Sequence, residues 1–179
     1  MPSSKVKLAT MWLDGCSGCH MSFLDMDELL LEIAPLIELV WSPIVDVKPY
    51  PDQIDVMLVE GAASTDEDCH KLREFRKRAK LMVALGDCAV TGNVPSMRNG
   101  FKLKEVFDRA YVENATVQAG QPTMCLPVLE KHARPIHEIV PIDLFVPGCP
   151  PPASAIYQVL SDLLNGKTPE PTKVTRFGK

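Results

Sequence analysis

Residues 54–85 read IDVMLVEGAASTDEDCHKLREFRKRAKLMVAL, a stretch in which two short apolar runs flank a polar segment. The runs Ile54–Val59 and Leu81–Leu85 are almost uninterruptedly apolar, which is typical of parallel strands buried on both faces. The polar segment between them opens with hydroxyl and acidic side chains and ends with basic ones. That order suits the dipole of a helix with a hydroxyl N-cap. The stretch therefore predicts two parallel strands joined by a helical crossover.

The same alternation of strands and helices extends over most of the chain. Further strands are predicted at Val6–Leu13, Glu38–Trp41 and Ile142–Val146. Helices are predicted over Ser22–Ile33, from Ser64 or Thr65 to about Ala79, over Phe101–Tyr111 and over Ala153–Leu164. Residues 112–141 show no clear periodicity and are expected to form loops. Alternating strands and helices predict an α/β fold, with a mainly parallel sheet that helices cover on both faces.

Length and composition indicate an ordinary globular protein. The chain has 179 residues, of which 46% are hydrophobic and 23% charged, so we expect one compact domain. Its net charge of −4, with 19 Lys and Arg, gives no basic surface for nucleic acids or anionic membranes. No apolar run approaches the ~20 residues of a membrane-spanning helix, and Met1–Lys7 lacks the pattern of an export signal. We therefore expect a cytoplasmic location, where thiols stay reduced.

Four of the six cysteines follow directly after predicted strands. Cys16 and Cys19 come after the first strand, Cys88 after the fourth and Cys149 after the last. The carboxyl ends of parallel strands lie at one edge of a sheet, where open α/β folds build their sites. Glycines beside three of these cysteines permit sharp turns. The pattern therefore predicts that four thiols converge at one place.

Converging thiolates suit either zinc or an iron–sulfur cluster. Zinc modules usually use two close CxxC pairs, whereas here single cysteines follow the first pair at distances of 69 and 61 positions. This spacing favours a cluster. A thioredoxin-like redox pair, a c-type haem attachment at CSGCH, and buried cysteines that act only as small hydrophobes are alternatives that explain fewer of the four. Cys69 and Cys125 are expected only to pack, and the scattered histidines to be surface or packing residues.

The residues around the four cysteines form a more specific pattern. The sequence reads CSGCHMSFLD at Cys16–Asp25, VEGA at Val59–Ala62, GDCA at Gly86–Ala89, VPSMRN at Val94–Asn99 and PGCPP at Pro147–Pro151. Over nearly its whole length the chain resembles the small subunit of nickel–iron hydrogenases. The similarity is greatest to the short small subunit of the cytoplasmic, bidirectional enzymes that reduce NAD(P).

The resemblance implies a flavodoxin-like fold that holds one 4Fe–4S cluster, the one nearest the hydrogen site, on Cys16, Cys19, Cys88 and Cys149. The nickel–iron centre would lie on a separate large subunit. FMN and further iron–sulfur clusters would lie on diaphorase subunits that reduce NAD(P). The chain would be an electron-transfer subunit without a complete active site of its own. Its iron–sulfur domain would span residues 1–167, followed by a surface tail at 168–179.

The resemblance also gives Glu60 a possible role. A carboxylate that ends an apolar strand is often only a solvated strand end, but the family's glutamate at this place lies close to the cluster. Glu60 is therefore a candidate for proton transfer or for ligation of the cluster. The apolar residues Trp12, Met21, Phe23 and Met26 have two interpretations, core packing or a face that contacts the large subunit.

Two alternative functions stay open at this point. The homologous cluster-bearing subunit of NADH–quinone oxidoreductase shares the PGCPP and glycine–cysteine turns. It has two adjacent cysteines in the first turn and generally lacks the VEG glutamate, and both differences favour the hydrogenase. The second alternative is a zinc-binding structural protein. No cysteine or histidine follows Cys149, so one cluster is expected, unlike the larger hydrogenase small subunits that carry two more.

Overall fold

The structure, a computed structural model, describes residues 5–178, and its strands form two sheets. In chain order the strands are β1 (Val6–Trp12), β2 (Ile37–Trp41), β3 (Ile54–Glu60), β4 (Ala63–Thr65), β5 (Ala79–Leu85), β6 (Leu129–Arg134) and β7 (Leu144–Val146). Five strands form a parallel sheet in the order β2–β1–β3–β5–β7. The other two, β4 and β6, form a small antiparallel sheet.

Helices follow most of the parallel strands. They are α1 (Gly18–Leu24), α2 (Leu29–Ile33), α3 (Asp66–Arg78), α4 (Asp87–Thr91), α5 (Asn93–Ser96), α6 (Leu103–Asp108) and α7 (Ala153–Leu164). Shorter helical turns lie at Met97–Gly100, Arg109–Glu113, Ile136–Glu138 and Pro171–Lys173. The strand order is that of flavodoxin-like sheets, in which ligands bind beyond the carboxyl ends of the strands at the point where the order reverses. The predicted α/β fold with a mainly parallel sheet is confirmed.

The register of the sheet aligns the carboxyl ends of its central strands. Trp12 of β1 pairs with Glu60 of β3, Glu60 pairs with Leu85 of β5, and Leu85 pairs with Val146 of β7. These four residues form the last row of the sheet. The loops that follow β1, β3, β5 and β7 therefore start at the same level, next to one another.

Two hydrophobic layers enclose the sheet because side chains alternate between its faces. On one face Met57 and Val59 of β3 pack in a cluster with Leu72 and Phe75 of α3. On the other face a second cluster contains Val56 and Leu58 of β3. The helical residues of that second cluster are Phe23 of α1, Ile33 of α2, and Ile156, Val159 and Leu160 of α7.

The predicted helix Ser22–Ile33 is wrong as one continuous element. The helical segment begins earlier, at Gly18, and is interrupted after Leu24, so that α1 and α2 are separate. Between them Asp27 has a φ of +53°, a left-handed conformation that a continuous α-helix does not allow. The interruption places Met26 in the core, where it is almost completely buried.

The expectation of loops over residues 112–141 is wrong for Leu129–Arg134. This segment forms β6, which pairs with β4 so that Ala63 lies opposite Arg134 and Thr65 opposite Leu129. Arg98 supports the strand by donating hydrogen bonds to the carbonyl oxygens of Glu130 and Lys131. The segment is short and mostly polar, so it lacks the apolar pattern by which a strand is predicted.

The last described residues are attached to the carboxyl edge of the parallel sheet. The Thr175 hydroxyl donates to the carbonyl oxygen of Pro147 at 2.7 Å, and the backbone N–H of Gly178 donates to Asp87 at 2.8 Å. The segment predicted as a surface tail therefore contacts two of the cysteine loops. The expectation about the N-terminal residues Met1–Ser4 falls outside the described residues.

Within residues 5–178, no helix combines the length and the apolar composition that crossing a bilayer requires.

Candidate metal centre

One cleft at the carboxyl edge of the sheet contains all four of the cysteines that follow strands. Cys16 and Cys19 lie after β1, Cys88 lies in the first turn of α4, and Cys149 lies after β7. The cleft has about 280 Å³ of free space, counting the part that opens to solvent. Cys16 and Cys149 are exposed at its mouth, whereas Cys19 and Cys88 are partly buried. The thiols therefore surround a space that opens at the protein surface.

The other two cysteines lie elsewhere. Cys69 is buried in α3, where its Sγ lies 3.7 Å from a guanidinium nitrogen of Arg134. Cys125 is exposed in the loop before β6. Neither lines the cleft.

The loops after β1 and β3 contact each other through their backbones. Asp14 and Ala62 exchange two backbone hydrogen bonds, of 3.1 and 2.7 Å. Gly61 lies between the two loops with a φ of +89°, and a Cβ atom there would lie 2.7 Å from the carbonyl carbon of Leu13. Only glycine permits this approach, which brings Cys16 and Glu60 to the same cleft.

A second close approach joins the loops after β1 and β5. Gly86, which precedes α4, has a φ of +83°, and a Cβ atom there would lie 2.2 Å from the Sγ of Cys19. The glycine thus leaves the space that the thiol of Cys19 occupies. Sequence analysis anticipates the glycine as a turn residue, but not that it accommodates a sulfur atom from another loop.

Asp87 connects the third cysteine loop to the fourth. Its carboxylate is buried and accepts hydrogen bonds from the backbone N–H groups of Gly148 (2.6 Å) and Gly178 (2.8 Å). Its own N–H donates to the carbonyl oxygen of Gly148 at 2.8 Å. Asp87 therefore fixes Cys88 relative to Cys149. Sequence reasoning missed this residue, although a carboxylate between a turn glycine and a cysteine was a signal that could have identified it.

Nearby N–H groups donate hydrogen bonds to sulfur atoms of the cleft. The side-chain amide of Asn93 donates to the Sγ of Cys149 at 3.5 Å, and the backbone N–H of Gly18 donates to the Sγ of Cys16 at 3.4 Å. The Cys149–Pro150 peptide bond is cis. Donors of this kind stabilise thiolate sulfur and tune any metal group that it binds.

The environment of the cleft raises the pKa of its inner thiols. Burial raises the pKa of Cys19 far above its ordinary value, and the negative charges of Glu60 and the other three cysteines add to this effect. Burial likewise raises the pKa of Cys88 to about 11, partly opposed by a hydrogen bond from the backbone of Val94. Without a bound cation these thiols are protonated at neutral pH. A metal that binds them must therefore displace protons.

Glu60 lies inside the cleft and is not a solvated strand end. It is 3% exposed, and one oxygen, Oε2, accepts hydrogen bonds from the backbone N–H of His20 at 2.6 Å and from its Nδ1 at 2.7 Å. His20 is itself 3% exposed and meets the Trp12 ring edge to face. Its Nε2 is buried without a hydrogen-bond partner among the described residues. The sequence predicts His20 only as a surface or packing residue, because nothing in its spacing indicates the carboxylate partner.

The apolar residues near the first turn divide between the two interpretations. Phe23 and Met26 are buried in the core, which is the packing role. Trp12 and Met21 are 37% and 63% exposed. Of these four residues, only Trp12 and Met21 are exposed enough to contact a partner protein.

The arrangement fits a group larger than a single ion. Among the described residues, no three His, Cys, Asp or Glu side chains converge closely enough to hold one metal ion. The four thiols instead line the walls of the cleft. The absence of a side chain at Gly86 makes room there for the Sγ of Cys19. Soft sulfur donors in this number suit a 4Fe–4S cluster, so the residues present fit the group that the resemblance implies.

Comparison with known proteins identifies the family of this chain. The family model described as "NADH ubiquinone oxidoreductase, 20 Kd subunit" matches residues 16–163. The delta subunit of the NAD-reducing hydrogenase HoxS of Cupriavidus necator is 40% identical, over 97% of this chain and 86% of that protein. A protein of the F420-non-reducing hydrogenase vhu of Methanocaldococcus jannaschii is also 40% identical, over 94% of this chain and 60% of its own length.

A solved structure shows the same similarity in the fold of the chain. A crystal structure of an NAD⁺-reducing [NiFe]-hydrogenase in the H2-reduced state contains a chain that superposes with a TM-score of 0.91 and is 37% identical. The match covers 97% of this chain and 99% of that one. The resemblance to hydrogenase small subunits is therefore confirmed. This chain belongs to the family of the NADH ubiquinone oxidoreductase 20 Kd subunit and is homologous, within it, to the small subunit of NAD-reducing nickel–iron hydrogenases.

Proposed function

We propose that this chain is the electron-transfer small subunit of an NAD(P)-reducing nickel–iron hydrogenase. Cys16, Cys19, Cys88 and Cys149 would hold one 4Fe–4S cluster, the one nearest the hydrogen site. When bound, such a cluster supplies a one-electron carrier between the hydrogen site of the large subunit and the diaphorase subunits. The observation that carries the proposal is the single cleft, at the carboxyl edge of the sheet, into which four separate cysteines converge.

The protein's own residues prepare the cleft. The register of the sheet sets the loops at one level, Gly61 and Gly86 allow them to approach, and Asp87 holds two of them together. Backbone and amide N–H groups donate to sulfur atoms of the cleft. Partial burial of Cys19 and Cys88 limits the access of water to half of the donor set.

We propose that the large subunit, which would carry the nickel–iron centre, covers the mouth of the cleft. Cys16 and Cys149 are exposed there, and Trp12 and Met21 are large apolar side chains that remain partly or mostly exposed. A partner that buried them would exclude water from the cleft. FMN and further iron–sulfur clusters would belong to the diaphorase subunits, and the whole assembly to the cytoplasm.

We further propose that Glu60 moves protons beside the cleft. Its carboxylate is buried and lines the cleft together with the cysteines. Replacement of Glu60 by Gln keeps the shape of the side chain but removes a proton acceptor. It should slow hydrogen-dependent NAD(P) reduction of the complex by about 10²-fold, the lower range for a positioned acid–base group, with the iron content unchanged. Normal rates in this variant would contradict the proton role, and ligation of iron by Glu60 would instead alter the spectrum of the cluster.

The cluster-bearing subunit of an NADH–quinone oxidoreductase is the second candidate, because the matching family model carries the name of that complex. Cys16 and Cys19 are not adjacent in the sequence, and Glu60 is present, and both features favour the hydrogenase.

Affinity purification of the full chain with its partners, without oxygen, tests the proposal. We expect a brown preparation with about four irons on this chain. Nickel should be found in a co-purifying subunit. Iron without nickel would favour the quinone-linked complex, whereas a colourless protein that contains zinc would overturn both proposals.

A further inference from the structure

His20 and Glu60 form a buried pair at the inner wall of the cysteine cleft. Both side chains are 3% exposed, and the only polar partner of the imidazole among the described residues is the Glu60 carboxylate. The imidazole therefore has one hydrogen-bonding arrangement here. Because a carboxylate oxygen accepts, Nδ1 is the donor in this hydrogen bond.

His20 restrains the Glu60 carboxylate more strongly than a single hydrogen bond would. The backbone N–H of His20 and its Nδ1–H both donate to the same oxygen, Oε2, at 2.6 and 2.7 Å. The ring also packs edge to face with Trp12, with ring centroids 5.1 Å apart. The carboxylate is thus held by a side chain that is itself fixed.

His20 leaves a polar nitrogen buried, which opposes folding because that nitrogen loses its hydrogen bond to water. An apolar ring could pack against Trp12 without that loss. The feature that an apolar ring would lack is the hydrogen bond to Glu60.

We propose that His20 is a positioning residue, which holds the Glu60 carboxylate against the cysteine cleft and so lowers the reduction potential of the cluster bound there. The inference rests on the proposed function. A fixed negative charge beside a cluster opposes the addition of an electron, because the reduced cluster is the more negative of the two states. Net charge and hydrogen bonding around the sulfur atoms are among the protein's means of setting such potentials.

Two substitutions of His20 separate positioning from packing. His20→Phe keeps an aromatic ring against Trp12 but removes the donor to Glu60. His20→Asn loses the ring but keeps an N–H group near the place of Nδ1. Glu60→Gln removes the charge itself, and the double variant His20→Phe with Glu60→Gln tests whether His20 acts through Glu60.

The measurement is a potentiometric titration, followed by electron paramagnetic resonance, of the full chain in its co-purified complex. The iron content of each preparation is determined first. We expect a positive shift of the cluster potential in Glu60→Gln and a positive shift of equal or smaller size in His20→Phe. His20→Asn should lie near the wild-type potential, and His20→Phe should add no shift in the Glu60→Gln background.

Several results would overturn the inference alone while leaving the proposed function intact. The first is a wild-type cluster potential in His20→Phe, and the second is a larger shift of that potential in His20→Asn than in His20→Phe. The third is a further shift of the potential when His20→Phe is added to Glu60→Gln. The fourth is loss of iron from both His20 variants. A wild-type preparation without iron is a different result, because it would overturn the proposed function and the inference with it.

Discussion

At the scale of single residues, the tightest constraint in the cleft is the space that Gly86 leaves for the Sγ of Cys19. An alanine Cβ at position 86 would lie 2.2 Å from that sulfur, and the φ of +83° is itself unfavourable for alanine, by about 1–3 kcal/mol. We therefore expect Gly86→Ala to displace the thiol of Cys19. The measured result should be a large loss of iron from the anaerobically purified chain, together with a lower thermal unfolding temperature.

Gly100→Ala is the matched control for this substitution. A Cβ at Gly100 would meet no atom within 4 Å, so iron content and unfolding temperature should stay at their wild-type values. If Gly86→Ala retained full iron, the cleft would not hold the cluster in the way proposed here.

The cysteines themselves give a second test at this scale. Cys88→Ser replaces a soft ligand by a weak one, so the cluster should be lost or converted, and iron should fall from about four per chain. Cys125→Ser, which changes an exposed cysteine outside the cleft, should leave the iron content unchanged. Equal iron in both variants would contradict the ligand assignment.

The site residues whose role could be predicted from sequence are those whose local pattern occurs several times in the chain. Each cleft cysteine follows a strand, and three of them have a glycine beside them, so their convergence follows from the topology of a parallel sheet. Asp87 has only one local signal, its place between a turn glycine and a cysteine, and His20 has none. Their roles depend on partners at Gly148 and Glu60, which are distant in sequence and become neighbours only through the register of the sheet.

At the scale of elements, α3 shows how local sequence fixes a helix boundary. The Thr65 hydroxyl accepts a hydrogen bond from the N–H of Asp68 at 3.1 Å, and the Asp68 carboxylate accepts one from the N–H of Thr65 at 2.9 Å. The hydroxyl and acidic residues predict a helix start at Ser64 or Thr65, and the structure shows that Thr65 is the cap. The break between α1 and α2 was not, because it depends on Met26 entering the core.

Loss of the cap should have a measurable cost. Thr65→Ala removes the acceptor for the N–H of Asp68, and we expect the free energy of unfolding to fall by about 1 kcal/mol. Urea denaturation followed by circular dichroism measures this change. Thr123→Ala, at an exposed loop position, should change stability by less than about 0.5 kcal/mol. A Thr65→Ala variant as stable as this control would show that the tertiary contacts of α3, and not its cap, determine its start.

At the scale of the whole molecule, the fold and the site depend on different interactions. The two hydrophobic layers on either face of the sheet hold the strands together, and of the four cleft cysteines only Cys19 contacts one of them among the residues that the structure describes. The cleft is built from loops joined by a few hydrogen bonds, such as those of Asp87 to Gly148. A chain of this length can bury enough apolar surface to fold without a metal.

Removal of iron should therefore leave the fold intact and loosen only the cleft. We expect the chain treated with a chelator and an oxidant, then reduced, to keep its far-ultraviolet circular dichroism. It should unfold at a lower temperature, because binding to the native state stabilises that state. Amide hydrogen exchange should become faster in the loops 14–20, 86–89 and 147–151, but should stay slow in β3 and β5, whose side chains form both layers. The same treatment of Cys88→Ser provides the control, since a chain that has lost part or all of its iron should show a correspondingly smaller change. Collapse of the dichroism on iron removal would mean that the cluster, rather than the two apolar layers, determines the fold.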